Sequence, residues 1–177
     1  SWSRLHGTAK LKALHTKADI YMINYEGLAW LLKELKVIFK ATRTLPFRAI
    51  VLDEGSKAKS HSTKRFKILN TLSDIAPKYK LILSGTPAPT SLMDLWAQYY
   101  FLDKGKRLGY TITSFRDQHF NQFEIKERQR KDGVTVKYKK KVFGYVLKEG
   151  HKEIIQQKIG DITYRLDAED HIKLPPK

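Results

Sequence analysis

Asp53 and Glu54 close the apolar run Ala49-Ile50-Val51-Leu52, and Ser84, Gly85 and Thr86 close a second tract, Lys80-Leu81-Ile82-Leu83. An apolar run that stops at a polar, small-residue turn is the pattern of a buried parallel strand presenting chemistry at its carboxyl end. Neighbouring carboxylates in that position suit phosphate hydrolysis: Asp53 to serve a magnesium ion, Glu54 to polarise an attacking water. Read locally, Asp53 could instead cap a helix, and Glu54 could pair with a nearby lysine. The second tract places two hydroxyls around Gly85, where a missing side chain permits close backbone approach. Taken alone, it equally suits a strand-to-helix turn capped by Thr86 or Thr90.

Such a site also needs a phosphate-binding loop, Gly-x-x-x-x-Gly-Lys-Ser/Thr, whose backbone N–H groups and lysine neutralise a triphosphate. The 177 residues contain none. Gly105-Lys106-Arg107 and Gly150-His151-Lys152 lack both the glycine spacing and the hydroxyl residue. The chain opens at Ser1 inside what reads as mid-domain sequence. It is expected to be a piece of a longer protein and inactive by itself.

The formal charge of +16, from 34 Lys and Arg against 18 Asp and Glu, points to a polyanion partner. A solvated, lysine-rich surface is the competing explanation. Cysteine is absent, which excludes disulfides and thiolate zinc sites, and the six histidines lack ligand spacing. No apolar stretch approaches the ~20 residues that span a bilayer, so no membrane partner is expected. A reducing compartment is: the cytoplasm of a bacterial or phage-infected cell, or the nucleus of a eukaryote.

The elements that must hold these residues alternate. A short helix is expected over 8–16, a strand over 19–24, and a helix over 26–40 with Leu28, Leu31, Leu32, Leu35, Ile38 and Phe39 on one face. The strand before Asp53 follows. Next come a Lys- and Ser-rich loop, a helix over 63–73 burying Phe66, Leu69 and Leu72, the strand before Ser84, and a helix marked by Leu92, Leu95, Trp96, Tyr99 and Leu102. The order strand, helix, strand, helix argues an α/β fold, a parallel sheet with helices on both faces and a site at the strands' carboxyl ends. The predicted organisation is a core over 1–102, a basic insertion over 103–150, and a last helix and strand over 151–177. Within the insertion the pattern predicts a helix over 113–123 and a hairpin of 134–138 with 142–146, turning through Lys139 to Lys141. A strand over 162–166 precedes Leu174-Pro175-Pro176, which suits a linker.

Ile23-Asn24-Tyr25-Glu26, Asp53-Glu54-Gly55-Ser56, Leu83-Ser84-Gly85-Thr86-Pro87, Asp94-Leu95-Trp96 and Leu174-Pro175, in that order, resemble landmarks of the first motor domain of Swi/Snf-type superfamily-two helicase-like ATPases, particularly the compact forms of phages and bacteria. The resemblance spans nearly the whole chain. It implies a partial RecA-like motor domain that uses ATP and magnesium, binds DNA, chiefly duplex, and works with a second motor domain of the same protein. It assigns the magnesium and water roles to Asp53 and Glu54, and coupling of nucleotide to DNA to Ser84, Gly85 and Thr86. Gly55 and Ser56 stand where the family's box more usually has Ala and His; a serine cannot accept a proton at neutral pH as an imidazole does. For DNA contact the candidates are Asn24, Tyr25, Lys57 and Lys59, since phosphates need donors rather than base-reading geometry. A solvated loop explains the two lysines nearly as well. Arg128, Arg130, Lys131 and Lys137 to Lys141, interleaved with Tyr138 and Phe143, form either a second basic surface or a hairpin with its aromatics on a core.

A DNA-dependent ATPase motor fragment is thus the leading expectation. A non-catalytic DNA-binding module with a degenerate motor fold is the alternative. A magnesium nuclease using Asp53, Glu54 and Lys57 fits poorly, because its usual acid-to-lysine spacing is one residue shorter.

Overall fold

The computed structural model describes residues 1–75, 79–88, 90–131 and 135–166, and between 125 and 142 it describes backbone alone. It resolves into two units, Ser1–Gly105 and Lys106–Lys177.

The first unit begins with β1 (Trp2–Arg4), α1 (Lys10–His15) and β2 (Ile20–Met22), and continues through a 3-10 turn at Tyr25–Gly27 into α2 (Leu28–Thr42). Next come β3 (Ala49–Leu52), a 3-10 turn at Gly55–Ala58, α3 (Lys64–Ile75), β4 (Tyr79–Ile82) and α4 (Asp94–Asp103). β1 pairs with β2 and β3 with β4, both in parallel, from Trp2↔Ile20 and from Ala49↔Tyr79. A cleft lined by Ile20 to Ile23 and by Ala49 to Asp53 runs between the two pairs. The α/β class expected from the alternation holds, and the strand Trp2–Arg4 was not anticipated.

Helix spacing accounts for the core. Leu28, Leu31 and Leu35 of α2, one helical stripe, meet Leu69 and Leu72 of α3 together with Leu52 and Phe101. Leu35 is completely buried, and removing a side chain of this kind costs about 2–5 kcal/mol. The N-cap of α3 is a hydroxyl: Thr63 Oγ1 accepts from the Phe66 amide at 3.2 Å. Alternate strand positions, Ile20, Met22, Val51 and Leu81 among them, stand about half exposed.

The second unit holds α5 (Ile112–His119), β5 (Phe120–Lys131), β6 (Thr135–Leu147), α6 (His151–Ile159) and a 3-10 turn at Gly160–Ile162. Three expectations are corrected here. The helix predicted over 113–123 ends at His119, where Phe120 turns extended (φ −129°, ψ 150°) and buries its ring edge-on against Phe115. The two predicted hairpin strands are one continuous strand, β6, passing straight through Lys139 to Lys141 and paired along its length with 120–131. β5 ends at Lys131 and β6 begins at Thr135, and Val134, which the prediction placed in the first hairpin strand, lies outside the described residues. Residues 163–166 carry no regular structure where a strand was expected. Leu174-Pro175-Pro176 lies outside the described residues. Among those described, no helix is long and apolar enough to cross a membrane.

Candidate functional site

Parallel pairing of β3 with β4 brings the two chemistry-bearing turns to one edge. The ladder continues past the strands: Leu83 N donates to Leu52 O and Gly55 N to Leu83 O, both at 2.8 Å. Asp53 and Glu54 therefore sit in a turn stapled to the segment that leads into Ser84. Both acids are exposed. Asp53 Oδ1 accepts from the Glu54 amide at 3.1 Å, which orients the carboxylate. Glu54 adopts a left-handed conformation (φ 52°, ψ 56°), a strain on the order of 1–2 kcal/mol for a non-glycine residue. Such strain persists where the surroundings over-determine the turn.

Gly55 is required by packing. A Cβ at this position would lie 2.1 Å from Ile82 Cγ2, so the residue after the acid pair has no room for even a methyl group. By contrast a Cβ at Gly85 would meet nothing within 4 Å, and close approach there is open to a ligand. The Ser84 hydroxyl is buried and has no hydrogen-bond partner among the described residues. An orphaned hydroxyl of this sort is costly unless something outside the chain satisfies it. Thr86 is exposed on the same loop.

Tyr25 ties the end of the 19–25 segment to the acidic turn, its hydroxyl donating to Asp53 O at 2.7 Å. Burial raises the tyrosine's pKa, the Asp53 and Glu54 charges push the same way, and Arg65 opposes them. The Arg65 guanidinium lies 5.0 Å from the Tyr25 ring centre and the Lys57 ammonium 5.8 Å from it. Arg65 also donates to Lys57 O at 3.0 Å. Asn24 caps the neighbouring turn, Oδ1 accepting from Gly27 N at 3.2 Å. Asn24, Tyr25 and Lys57 thus gather beside the acids. Lys59 is directed elsewhere, to Asp94 Oδ2 at 3.3 Å and Thr90 Oγ1 at 3.1 Å.

Arg65 and Gln98 escaped the sequence reading, and Asp94 entered it only as a landmark of the resemblance, without a role. Arg65 belongs to α3 and gave no local signal. Asp94 receives the Thr90 amide at 3.2 Å besides Lys59, and so fixes the loop after Ser84. Gln98, almost fully buried, donates to Pro87 O at 2.5 Å and to Asp94 O at 3.0 Å. A buried amide in the middle of an apolar helix was the available clue.

Residues 5–161 match the SNF2-related domain. The chain belongs to that family. The SNF2-related chain is 36% identical over 126 residues to protein p41 of Acyrthosiphon pisum secondary endosymbiont phage 1, covering 68% of this chain and 26% of that protein. It is 36% identical over 87 residues to the ATP-dependent helicase brm of Drosophila melanogaster, covering 49% of this chain and 5% of that one. Among solved structures it is similar to the Sulfolobus solfataricus SWI2/SNF2 ATPase core in complex with dsDNA, with a TM-score of 0.51 and 26% identity over 67% of this chain and 22% of that one. The α/β, RecA-like motor fold follows. The SNF2-related chain spans about a quarter or less of the length of these relatives.

Proposed function

We propose that this chain is the magnesium-side portion of a DNA-dependent ATPase motor, which hydrolyses ATP and moves along duplex DNA together with a second motor domain. The carrying observation is the stapled edge that joins the turn of exposed Asp53 and Glu54 to the segment leading into Ser84, whose buried hydroxyl has no hydrogen-bond partner among the described residues. Membership of the SNF2-related family and likeness to a dsDNA-bound ATPase core support it.

Magnesium, when bound, neutralises charge on the phosphate oxygens and orients them. The donor set fits that ion. Magnesium takes one or two protein carboxylates beside substrate phosphates, and Asp53 offers an exposed carboxylate already oriented by a backbone amide. No group of three or more His, Cys, Asp or Glu side chains is arranged to hold a metal among the described residues, so an all-protein cage is not on offer. Glu54, held in its left-handed turn, orients the attacking water. Ser84 completes its hydrogen bonding only with a ligand or a neighbouring segment in place, which suits the 84–86 loop to sensing nucleotide. Phosphates of the DNA meet Lys57 and Arg65, with Asn24 and Tyr25 shaping the surface. A DNA contact by Lys59 would require exchanging Asp94 for a phosphate. By itself the chain is proposed to be inactive, since no residues of the phosphate-loop pattern are present to cradle a triphosphate.

The test is Asp53→Asn in a protein that joins this chain to a phosphate-binding loop and a second motor domain. DNA-stimulated ATP hydrolysis should fall by roughly 100-fold or more, with duplex binding retained. Unchanged hydrolysis would remove the proposal; salt-sensitive DNA binding with no hydrolysis in either form would establish the non-catalytic module instead.

A further inference from the structure

The turn that carries Asp53 and Glu54 is held from outside its own strand by two side chains, Tyr25 and Arg65, that come from separate elements. The Tyr25 hydroxyl donates to Asp53 O at 2.7 Å and lies 3.5 Å from Glu54 O, so one phenol sits over the carbonyls of both acids. Glu54 O also accepts the Lys57 amide at 2.9 Å. These bonds hold Glu54 in its left-handed conformation (φ 52°) and so set the directions in which the two carboxylates leave the chain. A residue of that conformation keeps it only where its surroundings over-determine it.

Arg65 reaches the same tyrosine from α3. Its guanidinium lies 5.0 Å from the Tyr25 ring centre, within cation–π range, while Nη1 donates to Lys57 O at 3.0 Å. Nη2 faces the Glu26 carboxylate at 3.9 Å, too far for a hydrogen bond. With 74% of the Glu26 side chain exposed, this pair is the weakest of the three holds on Arg65. A guanidinium carries five N–H donors in a planar fork, so Arg65 can take a phosphate in place of Glu26 and still keep its bond to Lys57 O and its place on the ring. The Lys57 ammonium, 5.8 Å from the ring centre, adds a second cation.

We infer that Tyr25 and Arg65 form the link through which a duplex phosphate sets the acidic turn. Arg65 exchanges Glu26 for the phosphate, and Tyr25, a positioning residue, carries the added restraint to Asp53 and Glu54. This rests on the motor reading and supplies a physical reason for hydrolysis to depend on DNA, since a misplacement of about 1 Å at a reacting group can cost on the order of 100-fold in rate.

Two measurements test it. The first uses the 177-residue chain with a 20-base-pair duplex and no ATP: fluorescence anisotropy reads affinity, and hydrogen exchange reads the amides of Gly55 and Lys57. Duplex should slow exchange at these amides in the parent and not in Tyr25→Phe, although both bind duplex equally. The second reads ATP hydrolysis at saturating duplex by a protein joining this chain to a phosphate-binding loop and a second motor domain. Tyr25→Phe should lower kcat about three- to ten-fold with half-saturation by duplex unchanged. Arg65→Ala should weaken duplex binding as well. Arg65→Lys, which keeps the charge and loses the fork, should restore binding and leave kcat low. Far-UV circular dichroism checks the fold of each variant. The same exchange protection in parent and Tyr25→Phe, or none in either, overturns the inference, as does full recovery of kcat by Arg65→Lys, which would make Arg65 a phosphate contact only. A parent that binds no duplex, or shows no duplex-stimulated hydrolysis, withdraws the motor reading and the inference with it. A stimulated parent whose kcat Tyr25→Phe matches overturns the inference alone.

Discussion

The amide of Gly55 donates to the carbonyl of Leu83 at 2.8 Å, so the acidic turn is hydrogen-bonded directly to the segment that leads into Ser84. A second bond, from the Leu83 amide to the Leu52 carbonyl, reinforces the join, and the Ile82 side chain packs against Gly55 beneath it.

Gly55→Ala should be destabilising. The new methyl collides with Ile82 Cγ2, and overpacking of this kind costs about 1–3 kcal/mol, a fall of several degrees in Tm. Adding Ile82→Ala removes the opposing methyl, so the pair should be less destabilised than the sum of the two single changes. Thermal unfolding of the three variants reads the coupling, and strict additivity would place the clash elsewhere.

Asp94 should matter more than Lys59. Truncating Asp94 to Ala removes the acceptor for both the Lys59 ammonium and the Thr90 amide at the first turn of α4, a loss of about 1–2 kcal/mol. Lys59→Ala removes a partly exposed ion pair, which contributes about 1 kcal/mol or less. Denaturant unfolding of the two variants ranks them, and the reverse order would contradict the role given to Asp94.

His119 should make the second unit acid-sensitive. Its ring is fully buried, 2.9 Å from His151 between the two Nδ1 atoms. Burial first, then the charges of Lys158, His151 and Lys148, lower its pKa from 6.5 to about 4. The unfolded chain therefore takes up a proton that the folded chain refuses. Stability falls as pH drops from 6.5 toward 4 and levels off below, where both states are protonated. Replacing His119 by Asn should flatten that part of the stability profile. An equally steep profile in the variant would assign the acid loss to other groups.

Tyr25→Phe should loosen the acidic turn while keeping the ring against Arg65 and Lys57. Losing the hydrogen bond to Asp53 O costs about 0.5–1.5 kcal/mol. The raised tyrosine pKa means that the wild-type contribution is complete below about pH 10 and is lost as pH rises above it. The difference in stability between the two proteins should narrow there. A constant gap at all pH would remove the linkage.

Much of this was legible in the residues, because the informative parts are local. The three- and four-residue spacing of Leu28, Leu31 and Leu35 and of Phe66, Leu69 and Leu72 marks the buried faces of α2 and α3, and both strand-end turns lie where the apolar runs stop. What was hidden depends on partners distant in the chain. Gly55 reads as backbone freedom until Ile82 is placed over it. Arg65 and Asp94 are ordinary helix charges until the turns close on them. The hairpin was misplaced because the three lysines suggest a polar turn, whereas in the structure Lys139, Lys140 and Lys141 pair across the strands with Glu127, Lys126 and Ile125.

The central claim rests on Glu54 acting on water at a magnesium-bound phosphate. The most direct measurement is single-turnover ATP hydrolysis, with and without duplex DNA, by a protein joining this chain to a phosphate-binding loop and a second motor domain, comparing Glu54 with Glu54→Gln. The account predicts that the variant binds ATP and DNA as the parent does, while hydrolysis falls by roughly 100-fold or more. A variant that hydrolyses ATP at the parent's DNA-stimulated rate would contradict it.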